Sequence, residues 1–255
     1  MVVPAELRQV ADRARPVTLA REQTLPLVPV LQPLLPDGAL ARGSSVAVGG
    51  TGATSLALNL AAGPSHAGSW VVVVGLAELG LAAAAEAGLD LRRLALIDPP
   101  GDASWSGVVA ALVGGIDVIV VDGRAPLTPS EGRRLAARAR ERGSVLVPVT
   151  PGSVPTGRRR GAWPADVTLT VTSGRWDGLG VGHGHLRRRL VRVETEGRGR
   201  ASRPRELDLW LPAAPSFAGS NVAVGATTFE PAKEEGGGAG DATVVALRPV
   251  GRRAG

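Results

Sequence analysis

One stretch limits what this chain can fold into more than any other: Ser44–Ala62, SSVAVGGTGATSLALNLAA. An apolar strand is expected at Val46–Val48, then a glycine-rich turn, Gly49-Gly50-Thr51-Gly52, then an alanine- and leucine-rich helix at Thr54–Ala62. A strand that turns through glycines straight into a helix is the layout of a phosphate loop. There the backbone N–H groups and the helix N-terminus hold an anion, and a lysine reaches the terminal phosphates. In this chain the lysine position, directly after the last glycine, is Ala53. The loop is also short. A complete motif has its first glycine five residues before the last, and that position is Ala47; counting from Gly50 instead leaves about three loop residues missing. Gly49, Gly50, Thr51, Gly52, Ala53, Thr54 and Ser55 therefore outline a nucleotide cradle without its cation, and neither ATP nor Mg²⁺ is expected as a cofactor.

Around this stretch the hydrophobic pattern alternates between strand and helix. Strands are expected at Trp70–Val74, Leu94–Ile97, Asp117–Val121 and Ser144–Val149, the continuous apolar runs of a sheet covered on both faces. Helices are expected at Ala77–Ala87, at Ala103–Val113, and from the capping box Thr128-Pro129-Ser130-Glu131 to about Arg142. Such alternation argues for βαβ units and a parallel core. After Thr150 the rhythm changes. Val167–Thr172, Arg188–Glu194 and Glu206–Leu211 read as strands with no helix between them, which implies antiparallel strands added to one edge. The expected fold is α/β, a mixed sheet with a parallel core, an antiparallel edge and helices on both faces.

Three regions follow. Residues 1–36 hold a short amphipathic helix, Pro4–Arg15, and a strap broken by Pro26, Pro29, Pro33 and Pro36. Residues 37–211 form the core domain. Residues 212–255 are low in complexity and expected to be disordered, save for an apolar patch at Thr243–Leu247 that can dock as a strand.

With no cysteine, disulfides, thiolate metal sites and a cysteine nucleophile are excluded. Met1–Val10 carries Glu6 and Arg8, so no secretory leader is expected, nor a membrane partner, and the cytoplasm is the expected compartment. Lys233 is the lone lysine among 29 basic residues, a bias that reads as genome composition. The distribution of charge says more. Gly157–Arg205 holds twelve arginines against four acids, a local +8 on a chain of net +6, so the remainder carries −2. A basic segment on a near-neutral body fits nucleic acid or an acidic partner, and fits a solvated surface equally.

The run DVIVVDGRAPLTPSEGRRL (Asp117–Leu135) resembles the second nucleotide-binding motif of bacterial RecA recombinases. LLPDGALARGSSVAVGG (Leu34–Gly50), Ala87–Leu94, Ala165–Val171 and Arg188–Leu211 resemble further RecA segments in the same order, so the likeness covers Leu34–Leu211. Departures stand beside it. Ala53 replaces the lysine, Glu78 is out of register with the catalytic glutamate, Pro126–Ser144 leaves no room for the first DNA-binding loop, and Val147-Pro148-Val149-Thr150 replaces the strand with the sensor glutamine. Degenerate RecA-like chains of this size resemble the actinobacterial ImuA-prime family. That resemblance implies a RecA-like P-loop fold and a non-enzymatic adaptor role in mutagenic translesion synthesis, within the SOS response, beside a Y-family-like polymerase partner of ImuB type. It also leaves room for RecA or a second copy as partner, for DNA, and for association with the nucleoid after damage.

Each candidate residue has a plainer reading. Asp122 would help hold Mg²⁺, or is an ordinary polar strand end. Thr54 and Ser55 would ligate the ion, or satisfy free N–H groups in a first helical turn. Arg158, Arg159, Arg160 and Trp163 stand where RecA keeps its second DNA-binding loop and would contact phosphates and stack a base, or form a solvated loop. His183 and His185 make a poor ligand set and read as part of a flexible hairpin, and no metal site is expected. Trp70, Trp105, Trp176 and Trp210 read as core or edge packing. Leu7, Val10 and Ala14 form the apolar face of the first helix, which would dock on a partner or cover its own domain. Two other functions remain: a RecA-type ATPase with an unconventional loop, and a regulatory module that binds DNA alone.

Overall fold

The computed structural model of the chain describes residues 23–99, 104–152, 163–179, 184–213 and 246–247. Its strands are β1 (Thr24–Pro26), β2 (Ala39–Ala41), β3 (Val46–Gly50), β4 (Val71–Val74), β5 (Leu94–Ile97), β6 (Val118–Asp122), β7 (Val145–Pro151), β8 (Val167–Leu179), β9 (Gly184–Gly197), β10 (Arg205–Leu211) and β11 (Ala246–Leu247). Its α-helices are α1 (Ala53–His66), α2 (Leu81–Glu86), α3 (Trp105–Leu112) and α4 (Pro129–Arg142). Nine strands form one sheet in the order β10-β9-β8-β3-β7-β6-β4-β5-β11, parallel from β8 to β11 and antiparallel from β8 to β10. β1 and β2 make a separate antiparallel pair. The expected α/β architecture, with its parallel core and antiparallel edge, is the observed one.

The valine runs explain the centre. Successive residues of a strand point to opposite faces, so an unbroken apolar run serves two cores. Val71, Val73, Val118 and Val120 pack with α1, whereas Val72, Val74, Ile119 and Val121 pack with residues of α3 and α4. Each such side chain, taken fully from water, contributes about 1.5–3 kcal/mol. α1 is buried along most of its length because the strap lies over it: Leu25, Leu27, Val28, Leu31, Leu34 and Leu35 belong to the same core. The strap comes so close that a Cβ on Gly63 would run into the Pro26 carbonyl. A polar tie closes this layer, since buried Asn59 of α1 accepts a hydrogen bond at Oδ1 from the Ala213 N–H just beyond β10.

Three elements differ most from expectation in length. The helix expected from Ala77 begins only at Leu81, because Leu76–Leu79 closes as a turn and Gly80 is extended at the N-cap. β8 and β9 are far longer than their apolar cores, running 13 and 14 residues. Cross-strand pairing carries them on as a hairpin past the end of the buried valines, with register shifts at Val171/Ser173 and Asp177/Leu179. Ala246–Leu247, within the apolar patch of the last region, pairs in parallel with β5. The first helix, with Leu7, Val10 and Ala14, lies outside the described residues. Among the described residues no helix is long and apolar enough to cross a membrane.

Candidate functional site

The glycine turn is built as the sequence requires. β3 sits between β7 and β8, and the chain passes from its end into α1 through left-handed Gly50 (φ +96°) and Gly52 (φ +105°), a region that costs glycine little. A Cβ on Gly50 would collide with the Val171 carbonyl of β8, so glycine is also demanded by close approach. Gly49 and Gly50 are buried, Thr51 and Ser55 are exposed, and Thr54 is half-buried. Gly52 is the N-cap of α1 and has no side-chain cap, so the capping role expected of Thr54 and Ser55 falls to neither at that position. Ala53 is 0% exposed and belongs to the main core. The residue standing for the lysine therefore faces the apolar interior.

Asp122 ends β6 and is 9% exposed. Its carboxylate is taken by the residue two places on. Oδ1 accepts from the Arg124 backbone N–H (2.8 Å) and from Nε (3.0 Å), and Oδ2 accepts from Nη2 (2.9 Å). This bidentate clasp raises the Arg124 pKa above its usual value, and the negative charge of Glu78 adds to the effect. Glu78 itself is exposed. At the end of β4, Gly75 (φ +74°) lies beneath the indole of Trp105, so closely that a Cβ would enter the ring. At the end of β6, Gly123 donates to the Val149 carbonyl at 2.7 Å, and Thr150 fills the space a side chain would need. Among the described residues, the C-terminal ends of β4, β6 and β7 thus meet contacts within the chain at Gly75, Asp122 and Gly123.

Across the glycine turn lies an unforeseen neighbour. Arg189 of β9 stands opposite Trp176 of β8, its guanidinium 5.7 Å from the indole centre. It lies over Gly174, where the missing side chain leaves it room, and its Nη1 is 3.3 Å from where a Gly52 Cβ would be. Its Nε is buried without a hydrogen-bond partner. Trp176 is 50% exposed, as is Trp70 at 44%, so neither is a core residue.

The other candidates are placed as follows. Arg158, Arg159 and Arg160 lie outside the described residues. Trp163 does not offer its ring to a base: it is 7% exposed and packs with Leu135 and Ala139 of α4. His183 lies outside the described residues, and among the described ones no group of three or more His, Asp or Glu could hold a metal. The Arg189–Trp176 pair was not singled out in the sequence. Its signal is the run Leu186-Arg187-Arg188-Arg189, readable only once the register with β8 is known.

Residues 33–156 match the family model described as the MT3502 N-terminal domain, a span that holds the glycine turn and Asp122 but stops short of the β8–β9 hairpin. Among curated proteins, the Uncharacterized protein Rv3395c of Mycobacterium tuberculosis (strain ATCC 25618 / H37Rv) is 41% identical over 103 residues, which is 40% of this chain and 50% of that protein. The chain thus matches about half the length of this curated relative. Neither description states an activity.

Proposed function

We propose that the chain is a non-catalytic RecA-like adaptor of the ImuA-prime kind, which supports mutagenic lesion bypass by holding a Y-family-like polymerase partner of ImuB type. It would act in the cytoplasm, at the nucleoid after DNA damage. The observation that carries the non-catalytic half is the Asp122 carboxylate, whose oxygens are both engaged by Arg124. A carboxylate held by a guanidinium is a poor ligand for Mg²⁺, and without the ion a transferring phosphoryl group loses its main electrostatic support. Ala53, turned into the core, supports the same reading. The adaptor half rests on the ordered likeness of Leu34–Leu211 to RecA segments.

One observation favours a second reading, an ATPase with an unconventional loop. Arg189 brings a cation to Gly52 from a different strand, a place from which it could serve in the lysine's stead. Against it stand the short loop and the clasped Asp122.

The adaptor reading is tested by co-purifying the full chain with an ImuB-type protein. We expect a stable complex in the absence of nucleotide. Leu7→Asp with Val10→Asp should abolish it without moving the melting midpoint. No complex with the wild-type chain would sink the adaptor reading, and a complex retained by the double variant would remove the first helix from the interface.

A further inference from the structure

The β8–β9 hairpin carries its charges unequally on its two faces. Residues paired across antiparallel strands share a face. The register Gly174↔Val191 and Trp176↔Arg189, continued by Val191↔Leu209 and Arg189↔Leu211 onto β10, places Trp176 and Arg189 on the side of α1 and the glycine turn. The opposite face is largely neutralised. Arg188 donates to Asp177 at 3.1 Å and lies 4.1 Å over Trp210, and Arg192 is paired with Asp208 (2.8 Å) and Glu206 (2.9 Å). A crease of about 300 Å³ between Ser173, Arg175, Arg192 and Asp208 is lined partly by this satisfied pair.

On the inner face, among the described residues, no carboxylate pairs with Arg189, nor with Arg187 two residues along the strand. Arg187 is exposed, and so is half of Trp176. A large indole half in water beside a guanidinium with no carboxylate partner is more than a surface that meets only solvent requires. It suits one that meets a flat, anionic polymer, because a base has a π-face to stack and a phosphate for each cation. A duplex hides its base faces in the stack, and an acidic peptide offers charge with no π-face. We infer that the inner face of the β8–β9 hairpin binds single-stranded nucleic acid, one base stacking on Trp176 and the adjoining phosphates meeting Arg189 and Arg187. This does not rest on the adaptor reading: a chain that binds its polymerase partner but no nucleic acid keeps that reading and loses this one.

The test is fluorescence anisotropy with the full chain and a labelled oligothymidylate of about 15 nucleotides, at several salt concentrations. We expect binding that weakens with salt. Trp176→Ala should cost roughly tenfold in affinity, Trp176→Phe should largely restore it, and Arg189→Ala should cost about as much as the indole. Arg187→Ala should lower the log–log salt slope by about 0.7, the share of one phosphate on a single strand. Arg133→Ala on α4 removes one positive charge elsewhere and should change affinity by no more than about twofold. Melting curves keep the variants comparable, since Trp176 and Arg187 are surface residues. Absence of binding by the wild-type chain overturns the proposal. So does wild-type affinity in Trp176→Ala and Arg189→Ala, a preference for duplex of the same length, or equal competition by polyglutamate.

Discussion

The strand ends around Asp122 and the hairpin face around Trp176 lie in the same sheet, and they treat their polar groups in opposite ways. At the strand ends four features are engaged within the chain, whereas Thr51 and Ser55 of the glycine turn stay exposed. Arg124 holds the carboxylate, Trp105 covers Gly75, Thr150 fills the space at Gly123, and Ala53 is buried. On the hairpin the Arg189 guanidinium has no carboxylate partner among the described residues, and the Trp176 indole beside it is half in water. A buried polar group without a partner costs roughly 1–3 kcal/mol, which the Arg124 clasp spares the Asp122 carboxylate. The pair on the hairpin has each other as partners but no carboxylate among the described residues. The difference teaches that one α/β sheet can satisfy its polar groups internally at one set of strand ends and leave chemistry unsatisfied elsewhere.

The largest expected effect comes from placing a cation at position 53. Ala53→Lys places an ammonium in the core, an uncompensated buried charge that costs roughly 3–5 kcal/mol, and it should lower the melting midpoint by about 10 °C in a chain of this size. A variant that melts like the parent would mean that position 53 opens to solvent, and the closed picture of the strand ends would fall.

A paired substitution sharpens the contrast. Gly50→Ala meets both a left-handed backbone and the Val171 carbonyl, and should destabilise by about 2–4 kcal/mol. Gly174→Ala on the hairpin meets only the movable guanidinium of Arg189, and should cost under about 1 kcal/mol while displacing that side chain. Equal losses in urea unfolding would show that the hairpin is as tightly built as the loop.

The smallest effect concerns pH. Backbone and side-chain hydrogen bonds from Thr128, then one from Ser106, lower the Glu131 pKa from 4.5 to about 2. A depressed carboxylate contributes stability above its unfolded pKa and loses it as pH falls through its folded one. Wild type should therefore lose stability between about pH 4.5 and 2 that Glu131→Gln does not, read as converging melting midpoints across that window. Midpoints that run parallel would contradict the intact capping box at the start of α4.

The parallel core was legible because its cause is local. Val71–Val74 and Val118–Val121 are unbroken apolar runs, and a run buried on both faces has little else to become. Thr128 to Glu131 likewise announced α4 through short-range hydrogen bonds. The length of the hairpin was not legible, because Thr172-Ser173-Gly174-Arg175-Trp176-Asp177 has no alternation and one large apolar side chain, and only pairing with β9 makes it a strand. Trp163 was misplaced for a related reason. An indole following Arg158–Arg160 looks like part of an exposed basic loop, yet its apolar area finds α4. The Arg124 clasp could have been suspected from an arginine two residues after a strand-ending aspartate, a spacing that closes easily around a carboxylate.

The central claim, that this frame works without nucleotide, is tested most directly by equilibrium binding of Mg-ATP to the purified chain, with Asp122→Asn and Arg189→Ala in parallel. We predict no saturable binding at millimolar ATP and no difference among the three proteins. Saturable binding by wild type would contradict the account, and its loss in Arg189→Ala would assign the arginine of β9 the part of the loop's cation.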